Sequence, residues 1–255
     1  MKKKANPGEG AAERRSFPRL YVEAPLRAGA SLDCTAAQAN YLGNVLRLGV
    51  GETLLVFNGR DGEWLSEITA MRRGAGALAA REQVRPQSGG PDLHYVFAPL
   101  KKARLDYMVQ KATEMGVAAL RPVMTRRTNA ERVNVERMRA NAVEAAEQCG
   151  ILRLPEVFAP EKLGEVLRGW EAGRALIFCD EAAPVASPLD ALGAVPPGPL
   201  ALLIGPEGGF DPAEREMLLQ LPFVHTISLG PRVMRADTAA VAALALMNAV
   251  LGDWR

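Results

Sequence analysis

The sequence predicts an α/β protein in two parts, a small β-rich module followed by a larger domain of alternating strands and helices. Three observations predict it. Residues 85–92, Arg-Pro-Gln-Ser-Gly-Gly-Pro-Asp, are rich in breakers and hold no aliphatic side chain, which marks a linker. Beyond it, apolar runs of strand length alternate with helical patterns, the rhythm of a largely parallel sheet covered by helices. Near the end, two such runs each stop at a glycine ahead of a helix: Leu202-Leu203-Ile204-Gly205-Pro206-Glu207-Gly208-Gly209-Phe210, and Leu229-Gly230-Pro231-Arg232-Val233-Met234-Arg235-Ala236-Asp237-Thr238.

The elements follow in order. Residues 1–15 read as a flexible tail, because Lys2 to Lys4 lead into Pro, Gly and Glu and not into the apolar stretch of a signal peptide. Short strands are expected over 18–22, 53–57, 63–71 and 77–84, with Asn58-Gly59 and Asp61-Gly62 supplying turn chemistry. One helix interrupts them. Thr35-Ala36-Ala37-Gln38 has the capping-box pattern and leads into 39–48.

After the linker come a strand over 93–98 and a helix over 101–115, with Leu105, Met108, Val109 and Ala112 on one face and Gly116 placed as a C-terminal cap. A strand over 119–124, helices over 135–149 and 161–170, and a strand over 174–179 follow. Asp211, Pro212 and Glu214 open the helix behind the first glycine segment as N-cap, first position and box partner. The last helix, 238–250, is small or apolar on nearly every face, with Asn248 its one polar interior position. Such a helix is either covered inside its domain or part of a subunit interface.

The glycine segments bring bare backbone from two strand ends to one place, where amides can bind a nucleobase, an amino acid or an anion. Nucleotide-phosphate loops are excluded by residue type. Gly209 is followed by Phe210 and Asp211 where a Walker loop needs lysine and a hydroxyl, and Gly205, Gly208 and Gly209 have the wrong spacing for a dinucleotide fingerprint. Glu207 adds a negative charge, which favours a ligand with a positive centre or hydrogen-bond donors. The plain alternative, a tight turn between strand and helix, suits one such segment better than two.

Bulk composition narrows the class. A chain of 255 residues, 48% hydrophobic and 24% charged, is that of a globular protein with room for two domains. Its formal charge of +2 leaves any nucleic-acid partner to local patches such as Arg72-Arg73, Lys101-Lys102-Arg104 and Arg126-Arg127. Cys34, Cys149 and Cys179 share no metal-ligand spacing and fit free thiols in a reducing cytoplasm. No metal site is expected, and no apolar run reaches the length of a membrane span.

Several spaced motifs in order resemble those of the RsmE family of SPOUT methyltransferases: Pro18-Arg19-Leu20-Tyr21, Val45-Leu46-Arg47-Leu48-Gly49 with Gly51, Gln110-Lys111 with Glu114-Met115-Gly116-Val117, residues 144–150, and both glycine segments. The resemblance implies a PUA-like barrel that binds RNA over 16–86 and a trefoil-knotted α/β domain over 92–255 that forms a homodimer. It implies S-adenosylmethionine as cofactor, transfer of its methyl group to N3 of a uridine in small-subunit ribosomal RNA, and the RNA or the assembled small subunit as partner. By motif position, Leu203, Gly205, Glu207 and Gly208 form one wall of the cofactor site and Leu229, Gly230, Val233 and Met234 the other. Arg19, Arg47, Lys111, Arg126 and Arg127 are the RNA contacts. Arg235 is the candidate stabiliser of charge on the uracil carbonyls, its alternative role being an ion pair with Asp237 or Glu207. Glu207 or water is the candidate proton acceptor. The chain departs from the family pattern at Tyr41, Asp237 and Ile151.

Overall fold

The structure, a computed structural model, describes residues 17–254 apart from 131 and 185. The expected tail, 1–15, lies outside the described residues. The chain divides into two compact units between Ser88 and Gly89, inside the expected linker.

The first unit carries strands β1 (Arg19–Tyr21), β2 (Ser31–Cys34), β3 (Thr53–Phe57), β4 (Glu63–Arg72) and β5 (Ala75–Arg85) in one sheet of order β1-β3-β4-β5-β2. Only β1 and β3 run parallel. Helix α1 (Ala36–Asn40) starts at the expected capping box, with the Gln38 amide donating to Thr35 Oγ1 at 3.2 Å and the Thr35 amide to Gln38 Oε1 at 2.8 Å. It stops well short of residue 48. A π-helical turn, Tyr41–Val45, takes over directly after it, and Arg47 then adopts a left-handed φ of 59°. The core is Leu42, Leu54, Val56, Ile68 and Leu78, all fully buried.

The second unit has strands β6 (Leu93–Phe97), β7 (Ala119–Met124), β8 (Glu156–Val157), β9 (Glu161–Lys162), β10 (Ala175–Cys179), β11 (Leu200–Ile204) and β12 (Val224–Ile227). They form one parallel sheet of order β12-β10-β11-β6-β7-β8, with β9 pairing β7. Helices α2 (Lys102–Glu114), α3 (Val135–Cys149), α5 (Pro188–Gly193) and α7 (Ala236–Val250) pack one face, against Tyr95, Ile177 and Leu202. Helices α4 (Leu163–Arg168) and α6 (Pro212–Leu219) pack the other, against Val96, Phe178 and Leu203. Both faces are covered, which is why these strands read as unbroken apolar runs.

Some expectations shift in detail. Residues 161–162 pair with β7 instead of opening α4, and α5 was not foreseen although Ser187, accepting from the Asp190 amide, and Pro188 start it. After the edge strand β12 the chain returns to the middle of the sheet, where α7 packs on β11, α2 and α5. The mixed α/β domain behind a β-rich module stands as the sequence predicts.

Candidate cofactor site

In the second unit β12, β10 and β11 are parallel neighbours, so the loops after them, around 228–235, 180–183 and 205–211, meet at one edge of the sheet. They line a cavity of about 660 Å³, the size class of a small-molecule site. Of the residues expected there, Gly205, Glu207, Leu229, Gly230, Val233, Met234 and Arg235 line it. Two do not. Leu203 is fully buried under α4 and α6, because alternation along β11 turns its side chain away, and Gly208 lies exposed outside the cavity wall.

The first glycine loop is also the tight turn of the plain alternative, the Gly209 amide donating to the Pro206 carbonyl at 2.9 Å. Phe210 anchors it, edge-on to Phe178 with ring centroids 5.2 Å apart. A Cβ on Gly205 would stand 2.5 Å from Phe210 Cε2, so this glycine makes room for the anchor. Three arginines grip the loop from outside. Arg104 pairs with Glu207, Arg127 Nη1 donates to the Gly208 carbonyl at 3.0 Å, and Arg126 Nη1 pairs with Asp211 at 2.8 Å.

The second loop is more open. Gly230 has φ 99° and a Cβ there would meet nothing within 4 Å, so only the cavity faces it. Val233 is 85% exposed. Arg235 is the N-cap residue of α7, and among the described residues its guanidinium has no ion pair. Both partners in its alternative role are otherwise engaged, Glu207 with Arg104 and Asp237 with the Thr238 amide at 2.9 Å.

The third wall escaped the sequence reading. Cys179 ends β10, Asp180 and Glu181 follow it, and all three line the cavity, with no glycine to advertise them. Burial pushes the Cys179 thiol up to about 12. Asp180 is buried and takes Arg215 of α6 side-on, Nε and Nη2 donating at 2.9 and 2.7 Å to Oδ2. The signal that could have found this wall was an acidic pair directly after an apolar strand.

The expected RNA contacts separate into two kinds. Arg126 is 64% exposed at the side chain, and Arg127 is exposed beside it at the rim of the glycine loop. Arg47 is exposed in the first unit, on its strained turn. Lys111 pairs with Glu114 at 2.7 Å and lies over the Tyr107 ring. Arg19 is mostly turned inward. Its side chain is 10% exposed, paired with buried Glu63 at 2.6 Å and stacked over Phe57, so it holds the first unit together. Of the positions that depart from the family pattern, Tyr41 packs on the first unit's core, and Arg153 near Ile151 ties the Gly90 carbonyl at 3.1 Å.

Against known proteins, residues 88–248 match the family described as RNA methyltransferase domain and residues 35–75 that described as RNA methyltransferase PUA domain. A ribosomal RNA small subunit methyltransferase E from Synechocystis sp. is 32% identical, over 91% of this chain and 78% of its own. The chain belongs to the ribosomal RNA small subunit methyltransferase E family. Another member, from Rickettsia conorii, is 28% identical over 90% of this chain and 94% of its own. A solved structure described as a putative methyltransferase from Legionella pneumophila in complex with the bound cofactor SAM superposes with a TM-score of 0.82 at 28% identity, covering 93% of this chain and 99% of the other. The family member from Neisseria gonorrhoeae, at 24% identity and TM-score 0.84 over 94% and 100% of the two chains, shares the fold.

Proposed function

We propose that the chain uses S-adenosylmethionine to methylate N3 of a uridine in small-subunit ribosomal RNA. The observation that carries this reading is the three-loop cavity at the carboxyl edge of β10, β11 and β12 in a member of this family. The residues fit the cofactor. Leu229, Met234 and Ile204 give an apolar lining, Gly230 leaves open space, and acidic side chains suit a ligand with a positive centre. When bound, S-adenosylmethionine supplies a methyl group on an electrophilic sulfonium.

The remaining steps belong to the chain. N3 of uracil must lose its proton as it attacks, and negative charge grows on the flanking carbonyl oxygens. Arg235 stabilises that charge, since its guanidinium stands at the cavity unpaired among the described residues and, always protonated, cannot act as base. Glu207 is committed to Arg104, so it pins the loop, and water takes the proton. Residues 16–86 are read as the RNA-binding module and 92–255 as the catalytic domain, with Arg47, Arg126, Arg127 and Lys111 read as RNA contacts. Affinity for the RNA then falls with added salt. The partly exposed stripe of α7, Val241, Ala242, Ala245 and Ala249, serves a homodimer. We read its compartment as the cytoplasm, where such an RNA substrate would be met; separately, among the described residues no helix is long and apolar enough to cross a membrane.

The test is mass-spectrometric mapping of ribosomal RNA nucleosides from cells with and without the gene. Loss of 3-methyluridine alone from the small subunit is the expected result. Loss of a different methylated base would move the substrate, and an unchanged nucleoside profile would leave an RNA-binding assembly factor as the better reading.

A further inference from the structure

The third wall of the cavity holds two charged groups of opposite sign that the methyl-transfer reading leaves unused. Glu181 lines the cavity, and among the described residues its carboxylate takes no hydrogen bond or ion pair. It lies over the first glycine loop so closely that a Cβ on Gly209 would collide with Oε1. Gly209 therefore makes room for a carboxylate at the cavity wall. Arg215 lines the same cavity from α6. Its Nε and Nη2 are taken by Asp180, at 2.9 and 2.7 Å to Oδ2, while no described group engages Nη1. Asp180 and Glu181 are consecutive, so the residue that fixes the guanidinium is the backbone neighbour of the free carboxylate. Asp180 itself is buried, which makes it a rigid mount.

We propose that this wall is an amino-acid subsite, in which Glu181 receives a ligand's α-ammonium and Arg215 Nη1 its α-carboxylate. The subsite rests on the cofactor reading of the cavity and assigns it the methionine end of that cofactor. A carboxylate and a guanidinium lining one cavity match the zwitterion of an α-amino acid in sign. They also offer the hydrogen-bond acceptor and donor its two ends need. Asp180 is then a positioning residue, acting only through Arg215.

The experiment is calorimetric titration of the full chain with three ligands: S-adenosylmethionine, S-adenosylhomocysteine and methylthioadenosine, the last lacking the amino-acid end. With Glu181→Gln the first two weaken by about tenfold, the range for losing a charged hydrogen-bond partner at a partly open site, while methylthioadenosine keeps its affinity. Arg215→Lys retains a cation against Asp180, which guards the fold, and gives the same pattern through loss of the fork. Equal weakening of all three ligands would overturn the subsite, as the wall would then only shape the cavity. So would a Glu181→Gln chain that binds all three as before. Failure of the unsubstituted chain to bind any of them would instead overturn the cofactor reading, and the subsite with it.

Discussion

Single residues at the cavity carry distinct and separable duties. Gly205 and Gly230 stand at the same point in the two sequence segments, yet a side chain at Gly205 would strike Phe210 while one at Gly230 would enter open space. Gly205→Val therefore tests packing, and Gly230→Ala tests binding. The φ of 99° at Gly230 makes alanine cost about 1–2 kcal/mol of stability. Calorimetry of the still-folded Gly230→Ala chain is expected to show loss of S-adenosylmethionine affinity, and full affinity would remove this loop from the site. Cys179 has a different duty. With its thiol pushed up to about 12 by burial, it stays protonated beside an alkylating cofactor and does not compete for the methyl group. Iodoacetamide at neutral pH should label exposed Cys149 and spare Cys179, read by peptide mass spectrometry.

His94, half-buried on β6, gives the pH dependence its sign. Desolvation, reinforced by the charge of Arg174, lowers its pKa from 6.5 to about 4, against the opposing pull of Asp92. The unfolded chain thus binds a proton through pH 6.5 while the folded chain does not until about 4. Stability contributed by the neutral imidazole is present above 6.5 and is lost as the pH falls towards 4. Urea midpoints across that window should fall for the natural chain and fall less for His94→Leu. Parallel slopes would show that other groups set the acid sensitivity.

At the scale of elements, a side-chain contact ties the far end of α7 to α2. Asn248 is fully buried and donates from Nδ2 to the Met115 carbonyl, 2.9 Å away at the end of α2. Asn248→Ala leaves that carbonyl without its donor and should cost about 1–3 kcal/mol in urea unfolding, with an unchanged midpoint showing the contact to be idle. That Asn248 mattered was legible, since it is the one polar interior position of an apolar helix. The starts of α1 and α6 were legible for a similar reason, because a capping box is written within four residues. What was not legible depends on distant partners. The short strands β2, β8 and β9 exist because β5 and β7 offer edges, and the turn that ends α1 early is set by a Leu48 amide reaching the Leu42 carbonyl. The site divides along the same line. Its two glycine walls announced themselves, whereas Asp180 became meaningful only once folding brought Arg215 to it from 35 residues away.

For the whole molecule, the open question of the last helix becomes a question of assembly. Ala240, Ala243, Leu244 and Met247 settle one side of α7 into the core, so the covered-helix reading accounts for half its surface. Val241, Ala242, Ala245 and Ala249 share the opposite side by helical spacing and stay partly exposed. Small side chains there let a second helix approach closely, and water gains by releasing the stripe. Ala245 is central to it. Ala245→Glu places a charge where a partner helix would bury it unpaired, at a cost that an interface of small side chains does not offset. Sedimentation velocity should show a dimer for the natural chain and a monomer for this variant, with an unchanged far-ultraviolet spectrum showing that α7 still folds onto its own sheet. A dimer that survives Ala245→Glu would move the interface elsewhere. A natural chain that sediments as a monomer would leave the exposed stripe of α7 without a second copy to cover it.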